Sequence, residues 1–431
     1  MPVSPPLFGK NGRADDLVIR GARVVDPGES IDEMLDVTVR EGIVTAIEPS
    51  TAAKPGLVLA PAFVDPHVHL RTPGREDEED LGSGTRAAAA GGYCALLAMP
   101  NTEPPVDSAS VLSGLAQRAR AEAEVPVGFL ATLTKGQRGE ELTEMGELAD
   151  AGAVGFTDDG RPVVAPGLMR RALQYDAVAR RRVAVHCEEP TLSRGGHAHE
   201  GAVSAELGFG GYPSVAESLM VARDLALAAY EERPLHLLHL SAHESVEELR
   251  RARAGGIAAS AEVTPHHLCL TDEAVRSLDP NTKMNPPLRA DADREALLEA
   301  LADGTIEAIA TDHAPHAREE KDAPFEAAPF GVTGLETAFS ALYTRLVAPG
   351  ILPLATLLER MSAGPARIYG LERPRIAVGA PANLVLLDLD ATWRVEEAGF
   401  RSKSTNSWLL GAELRGKVSM TIAAGRLAFA A

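Results

Sequence analysis

Eight short apolar runs recur along the middle of the chain, at residues 57–64, 93–99, 126–132, 153–156, 182–185, 235–238, 257–263 and 305–310. Between them lie longer stretches rich in Ala, Leu, Glu and Arg, the composition of helices rather than of strands. Strands that alternate with helices build a parallel sheet. Eight such units predict an α/β fold in which that sheet closes on itself, a (β/α)8 TIM barrel with its chemistry on the loops leaving the C-terminal ends of the strands. An open doubly wound sheet would need a nucleotide crevice, and no G-x-G-x-x-G or Walker loop follows any of the runs.

The two chain ends read differently. Short alternating β-like runs occur at 16–20, 35–40 and 43–47, and again at 383–388, 417–422 and 426–429. Neither end has enough strands for a core of its own, so the termini are expected to meet in one small β-rich domain. Residues 1–12 read as a loose arm and 391–410 as irregular covering segments.

Composition narrows the function. With 61 acidic against 42 basic residues the formal charge is -19, which argues against a general nucleic-acid binder because phosphate contacts need concentrated Lys and Arg. Small anions need only one or two well-placed arginines. Cys94, Cys187 and Cys269 make no close-spaced pair, so the expected compartment is the cytoplasm. No signal peptide is visible, and the apolar stretches are interrupted by charge well before the length of a membrane span.

The polar residues that close the runs fall in register with the barrel. The first run leads into Asp65-Pro66-His67-Val68-His69-Leu70-Arg71. On a strand, residues two apart share a face, so both imidazoles can reach one metal. Later runs end in Met99-Pro100-Asn101-Thr102, Phe156-Thr157-Asp158-Asp159-Gly160, His186-Cys187-Glu188-Glu189, His239-Leu240-Ser241-Ala242-His243 and Thr311-Asp312-His313-Ala314-Pro315-His316. Four histidines (His67, His69, His186, His239) and two aspartates (Asp159, Asp312) at one mouth suit one or two zinc-like ions. Two ions would need a bridging carboxylate, for which Asp159 is the natural candidate. Its neighbour Asp158 competes, because Asp-Gly is also ordinary turn chemistry. His236, His313 and the pair His266-His267 are expected to be packed or loop-supporting, and Cys94 and Cys187 to be core. The long stretch from His316 to Thr337, rich in Pro, Gly and charge, is either a lid or a static surface loop.

These runs, together with Asn285-Pro286-Pro287-Leu288-Arg289, resemble bacterial type I dihydroorotases of the amidohydrolase superfamily from about residue 15 to residue 428. The resemblance implies a small composite β-sandwich formed by both chain ends, with domains at 1–56, 57–368 (the barrel) and 369–431. It implies reversible cyclisation of N-carbamoyl-L-aspartate to (S)-dihydroorotate with loss of water, in pyrimidine (UMP) biosynthesis. His67 and His69 would bind the more buried Zn2+, Asp159 would be shared, and His186 and His239 would hold a second ion. Asp312 would sit beside the metal as the catalytic proton-transfer group. Arg71, Asn101 and His316 match positions that hold the substrate's carboxylate and ring, with Asn285 added from the seventh loop. A forked Arg71–carboxylate pair has a geometry Lys cannot reproduce. The expected partner is a small-molecule substrate, with no nucleic acid and no membrane, and the resemblance leaves room for a homodimer and for a complex with aspartate transcarbamoylase.

Two alternatives come with it. Hydantoinases share the barrel and the His-x-His start, but that group resembles relatives that carry a carboxylated lysine at the end of strand four, where this chain has Asp158-Asp159 and no lysine. A non-catalytic supporting partner of the transferase would have lost metal ligands, and every expected ligand is present.

Overall fold

The computed structural model describes residues 4–10, 12 and 14–431. Its centre is an eight-stranded parallel sheet whose strands are Phe63–Val68, Tyr93–Ala98, Val127–Ala131, Gly155–Phe156, Arg182–Val185, Leu235–Leu237, Ala259–Val263 and Ala308–Ile309, each paired with its neighbour in chain order. The ends meet where Val68 bridges His313, and His69 N–H donates to His313 O at 2.9 Å. Strands covered on both faces must be apolar throughout, and every residue of Tyr93–Ala98 and Val127–Ala131 is buried. Leu97, Leu130, Val154, Ala184, Leu238 and Tyr369 fill the interior below the mouth. Amphipathic helices wrap the outside: Val215–Glu231 buries Ala216, Met220, Val221, Asp224, Leu225 and Ala228 and ends on Glu232, in the left-handed conformation.

The first expected strand, 57–64, is corrected. Lys54–Pro61 belongs to the small sheet, where it pairs with both Leu17–Asp26 and Leu384–Arg394, and the barrel strand begins only at Phe63. A boundary between 56 and 57 therefore falls inside a strand. One uninterrupted apolar run serves two sheets because both of its halves are buried, so hydrophobicity carries no mark of the change.

The small sheet has seven strands, running in spatial order Arg426–Ala430, Glu413–Ala423, Leu384–Arg394, Lys54–Pro61, Leu17–Asp26, Ile31–Arg40 and Ile43–Pro49. It curls until turns near its opposite edges touch: a side chain at Gly42 would meet Gly425 Cα at 2.9 Å. The N-terminal arm is not loose where it is described. Phe8 is buried, exchanges backbone hydrogen bonds of 2.8 Å with Val127 and stacks on Phe129. In the 391–410 region, Ser402, Ser404 and Asn406 pack onto the barrel mouth. Among the described residues no helix is long and apolar enough to cross a membrane.

Candidate active site

Each strand presents its polar side chain where its apolar residues end. His67, wholly buried, donates through Nδ1 to Glu262 Oε1 at 2.8 Å. Its Nε2 is then a buried nitrogen with no hydrogen-bond partner. His69 Nδ1 lies 2.8 Å from Asn101 Oδ1, and His186 Nε2 2.9 Å from Glu188 Oε2. An imidazole that commits one nitrogen to an oxygen acceptor keeps its other nitrogen as an electron-pair donor, so these three rings are oriented as metal ligands are.

Asp159 stands between two histidine pairs. Its Oδ2 lies 3.5 Å from His67 Nε2 and 3.6 Å from His69 Nε2, while its Oδ1 lies 3.3 Å from His239 Nε2 and 3.6 Å from His186 Nδ1. Asp312 Oδ1 adds a further oxygen to the first pair, at 3.4 Å from His67 Nε2 and 3.0 Å from His69 Nε2. Ligands about 2.0–2.1 Å from a tetrahedral zinc are about 3.3 Å apart, close to these separations. The nitrogen and carboxylate donor set, with the partnerless His67 Nε2 at its centre, fits such an ion.

The electrostatics match. Burial alone would depress His67 and His186, but the facing carboxylates outweigh it: Asp159 and Asp312 hold His67 well above the ordinary imidazole range, and Asp159 and Glu188 push His186 up to about 10. Burial would raise Asp159, yet His67, His186 and His239 hold it far below the usual carboxylate range. A cation among these groups would answer the same carboxylate charge.

Asp158 is excluded from the site. Its carboxylate accepts from Leu133 N–H at 2.8 Å, Thr134 N–H at 3.1 Å and the Thr134 hydroxyl, and burial pushes it up to about 6. His236 is structural, bonded to Ser260 and Glu262, and His313 faces Glu79. His267 bonds Thr264 and the Pro286 carbonyl, supporting the loop that carries Asn285. Three site residues, Arg71, His239 and Asp312, have positive φ (55°, 29° and 48°) as the chain turns sharply off its strands. Such backbone is disfavoured for side-chain-bearing residues and gathers at functional sites.

Arg71, Asn101, Asn285 and His316 line a cavity of about 190 Å3 with Asp159, His186, His239 and Asp312. A wider hollow of about 630 Å3 beside the stretch that follows His316, the cover loop, is lined by Arg318, Glu319 and Lys403 among others and assembles no comparable set. Arg71 Nε–H donates to Pro315 O at 3.1 Å, and Asn285 Nδ2 donates to Glu188 Oε2 at 3.1 Å, leaving Asn285 Oδ1 buried and unpartnered. His316 is pulled two ways. Burial beside Arg71 and Lys321 pushes it down to about 3, while Phe330 O at 2.7 Å and Glu78 Oε1 at 3.2 Å face its two nitrogens. With a single ring proton, the closer carbonyl places it on Nε2.

The stretch after His316 is packed down over the mouth. Lys283 Nζ donates to Glu326 O and Ala328 O, both at 2.8 Å, and Lys321 Nζ to Pro280 O at 3.0 Å and Pro329 O at 2.8 Å. Phe330 and Gly331 thereby reach the cavity wall. Gly331 has φ +113°, and a Cβ there would come within 2.6 Å of Ala314 Cβ. Asn406 ties this loop to the small domain: it accepts from His316 N–H at 3.1 Å and donates to Ala314 O at 3.2 Å and Gly331 O at 3.3 Å.

Glu262, Glu188, Glu78 and Asn406 escape the sequence reading as site residues. Only Glu262 leaves a usable signal, a lone acid on the same strand face as Ser260 inside an otherwise apolar run.

The sequence model of the dihydro-orotase-like family matches residues 56–245. A dihydroorotase of Geobacter sp. (strain M21) is 45% identical over 96% of this chain and 100% of its own length. That of Pelotomaculum thermopropionicum is 44% identical over 95% and 98%. Among solved structures, the L-hydantoinase (dihydropyrimidinase) of Arthrobacter aurescens superposes with TM-score 0.85 at 26% identity, over 96% of this chain and 95% of that one. The D-hydantoinase (dihydropyrimidinase) of Thermus sp., with TM-score 0.80 and 23% identity over 95% and 94%, shares the fold. At the end of barrel strand four Asp159 holds the central position, and Lys135, the nearest lysine in sequence, lies outside the cavity paired with Glu141 at 2.5 Å. Shape alone does not divide hydantoinases from dihydroorotases, but 44–45% identity along nearly the whole length does, and the chain belongs to the dihydroorotase family.

Proposed function

We propose that the chain is a zinc-dependent dihydroorotase, a cyclic amidohydrolase that interconverts N-carbamoyl-L-aspartate and (S)-dihydroorotate plus water in pyrimidine biosynthesis. The observation that carries the reading is Asp159, whose two oxygens face two different histidine pairs with Asp312 alongside. His67, His69, Asp159, His186, His239 and Asp312 would hold one or two zinc ions. Bound there, zinc would polarise the amide carbonyl and make a water a strong nucleophile near neutral pH.

The chain's own groups supply the rest. In ring opening, Asp312 takes the proton of the attacking water and delivers it to the leaving ring nitrogen. Closure runs the same transfers backward as the carbamoyl nitrogen attacks the carboxyl group. Arg71 grips the carboxylate that stays outside the reaction, while Asn101, Asn285 and His316 orient the ring, and the packed loop carrying Phe330 limits bulk water. Three cysteines, none in a disulfide, suit a reducing cytoplasm. A homodimer or a complex with aspartate transcarbamoylase would be read from the mass of the purified protein alone and with that transferase.

The decisive comparison uses dihydrouracil, the same cyclic amide without the carboxylate. Followed by ultraviolet absorbance, ring opening should be far faster for dihydroorotate. Arg71→Lys should remove most of that preference, since a charge-assisted fork is worth several kcal/mol at about 1.4 kcal/mol per tenfold. Comparable wild-type rates on both compounds would overturn the assignment.

A further inference from the structure

Arg71 does not stand alone. Glu78 is fully buried in the connection between the first barrel strand and the helix Leu81–Ala90. Its Oε2 lies 3.0 Å from Arg71 Nε and its Oε1 2.5 Å from Arg75 Nη2. Arg75 also pairs with Glu320 on the cover loop. With Glu78 and the Pro315 carbonyl both against Nε, Arg71 turns its two Nη groups toward the cavity, where Nη2 lies 3.5 Å from His316 Nε2.

A purely structural role explains this arrangement poorly. Glu78 Oε2 has no hydrogen-bond donor aimed at it, and burying a carboxylate oxygen in that condition is a net cost to folding. The charge of Arg71 is what holds it there. We propose that Glu78 is the positioning residue for substrate recognition: its carboxylate, shared between Arg71 and Arg75, orients the Arg71 guanidinium so that the Nη edge meets the substrate's carboxylate. The inference rests on the role of Arg71 proposed above. Gln keeps the size of Glu78 but not its charge, and it is the charge that faces the Arg71 and Arg75 guanidiniums.

The test is steady-state kinetics of Glu78→Gln beside Arg71→Lys, with dihydroorotate and dihydrouracil, on variants whose melting temperatures are compared with wild type. For Glu78→Gln, KM for dihydroorotate should rise roughly tenfold or more while kcat stays within about threefold, the signature of lost binding rather than lost chemistry. The dihydrouracil rate should not change. A folded Glu78→Gln with wild-type KM, while Arg71→Lys loses the preference for dihydroorotate, overturns the role of Glu78 alone. Equal losses on both substrates also overturn it, as they would mark a structural residue. If Arg71→Lys keeps the full preference, the Arg71 reading falls and Glu78 with it. Should Glu78→Gln not fold, Glu78→Asp is read by the same criteria, since it keeps the charge but withdraws it by one methylene from Arg71.

Discussion

On one wall of the cavity, His69, Asp159, His186, His239 and Asp312 ride on strand ends beside the wholly buried His67, which Glu262 on strand seven braces from within the barrel, bonding His67 at 2.8 Å and His236 at 3.0 Å. On the other wall, Arg71, Asn285 and His316 stand on loops: Arg71 meets Pro315 O, His316 meets Phe330 O and Asn406 from the C-terminal segment, and Asn285 reaches Glu188. Strand ends are held by the hydrogen-bonded sheet below them, whereas a loop is only as well placed as the residues that reach it from elsewhere. On the proposed reading, the first wall would hold an ion at set distances and the second would admit and release a substrate. Substitutions on the two walls should therefore fail in different measurements.

The largest effect is expected at Asp312, to which the proposed function gives a part in both the cradle and the chemistry. Asp312→Asn should keep much of the zinc but lose roughly 100-fold or more in turnover, the scale of general acid–base participation. Zinc content measured beside dihydroorotate hydrolysis checks this, and full metal with near-wild-type turnover would remove Asp312 from its role.

Next comes Glu262, ionised at about 2 because His236 and His67 outweigh its burial. Glu262→Gln weakens the partner that orients His67, so zinc affinity in a chelator competition should fall roughly 10–100-fold. KM for dihydroorotate, measured with zinc saturating, should hold. Unchanged affinity would mean that the barrel interior does not brace the cradle.

The smallest effect belongs to the other wall. Asn406→Ala removes three hydrogen bonds that pin His316 and Gly331. KM for dihydroorotate should rise several-fold, since each buried bond contributes about 1 kcal/mol. Zinc affinity should stay at the wild-type value, and a parallel loss of zinc would show that the two walls are one unit.

Much of the first wall was legible in the sequence, because its ligands follow apolar runs whose period and length mark strands. The choice between Asp158 and Asp159 was not. Both are buried at the end of one strand, and only the neighbouring loop decides, by presenting the Leu133 and Thr134 N–H groups to Asp158 and leaving Asp159 to the histidines. The second wall was named through the resemblance, but its supports stayed hidden. Asn406 is 90 residues from His316, and no local pattern joins them.

By itself the sequence determined the alternation of strands and helices and the residue types delivered to the barrel mouth, since side-chain periodicity acts over a few residues. The tertiary structure alone decided that the run 57–64 is divided between two sheets, which oxygen of Asp159 meets which histidine pair, and that Glu262, 195 residues from His67, sits beneath it. The physical reason is closure. Those distances exist only once the last strand meets the first at Val68 and His313, and a chain read residue by residue contains the groups but not the geometry that closing the barrel imposes on them.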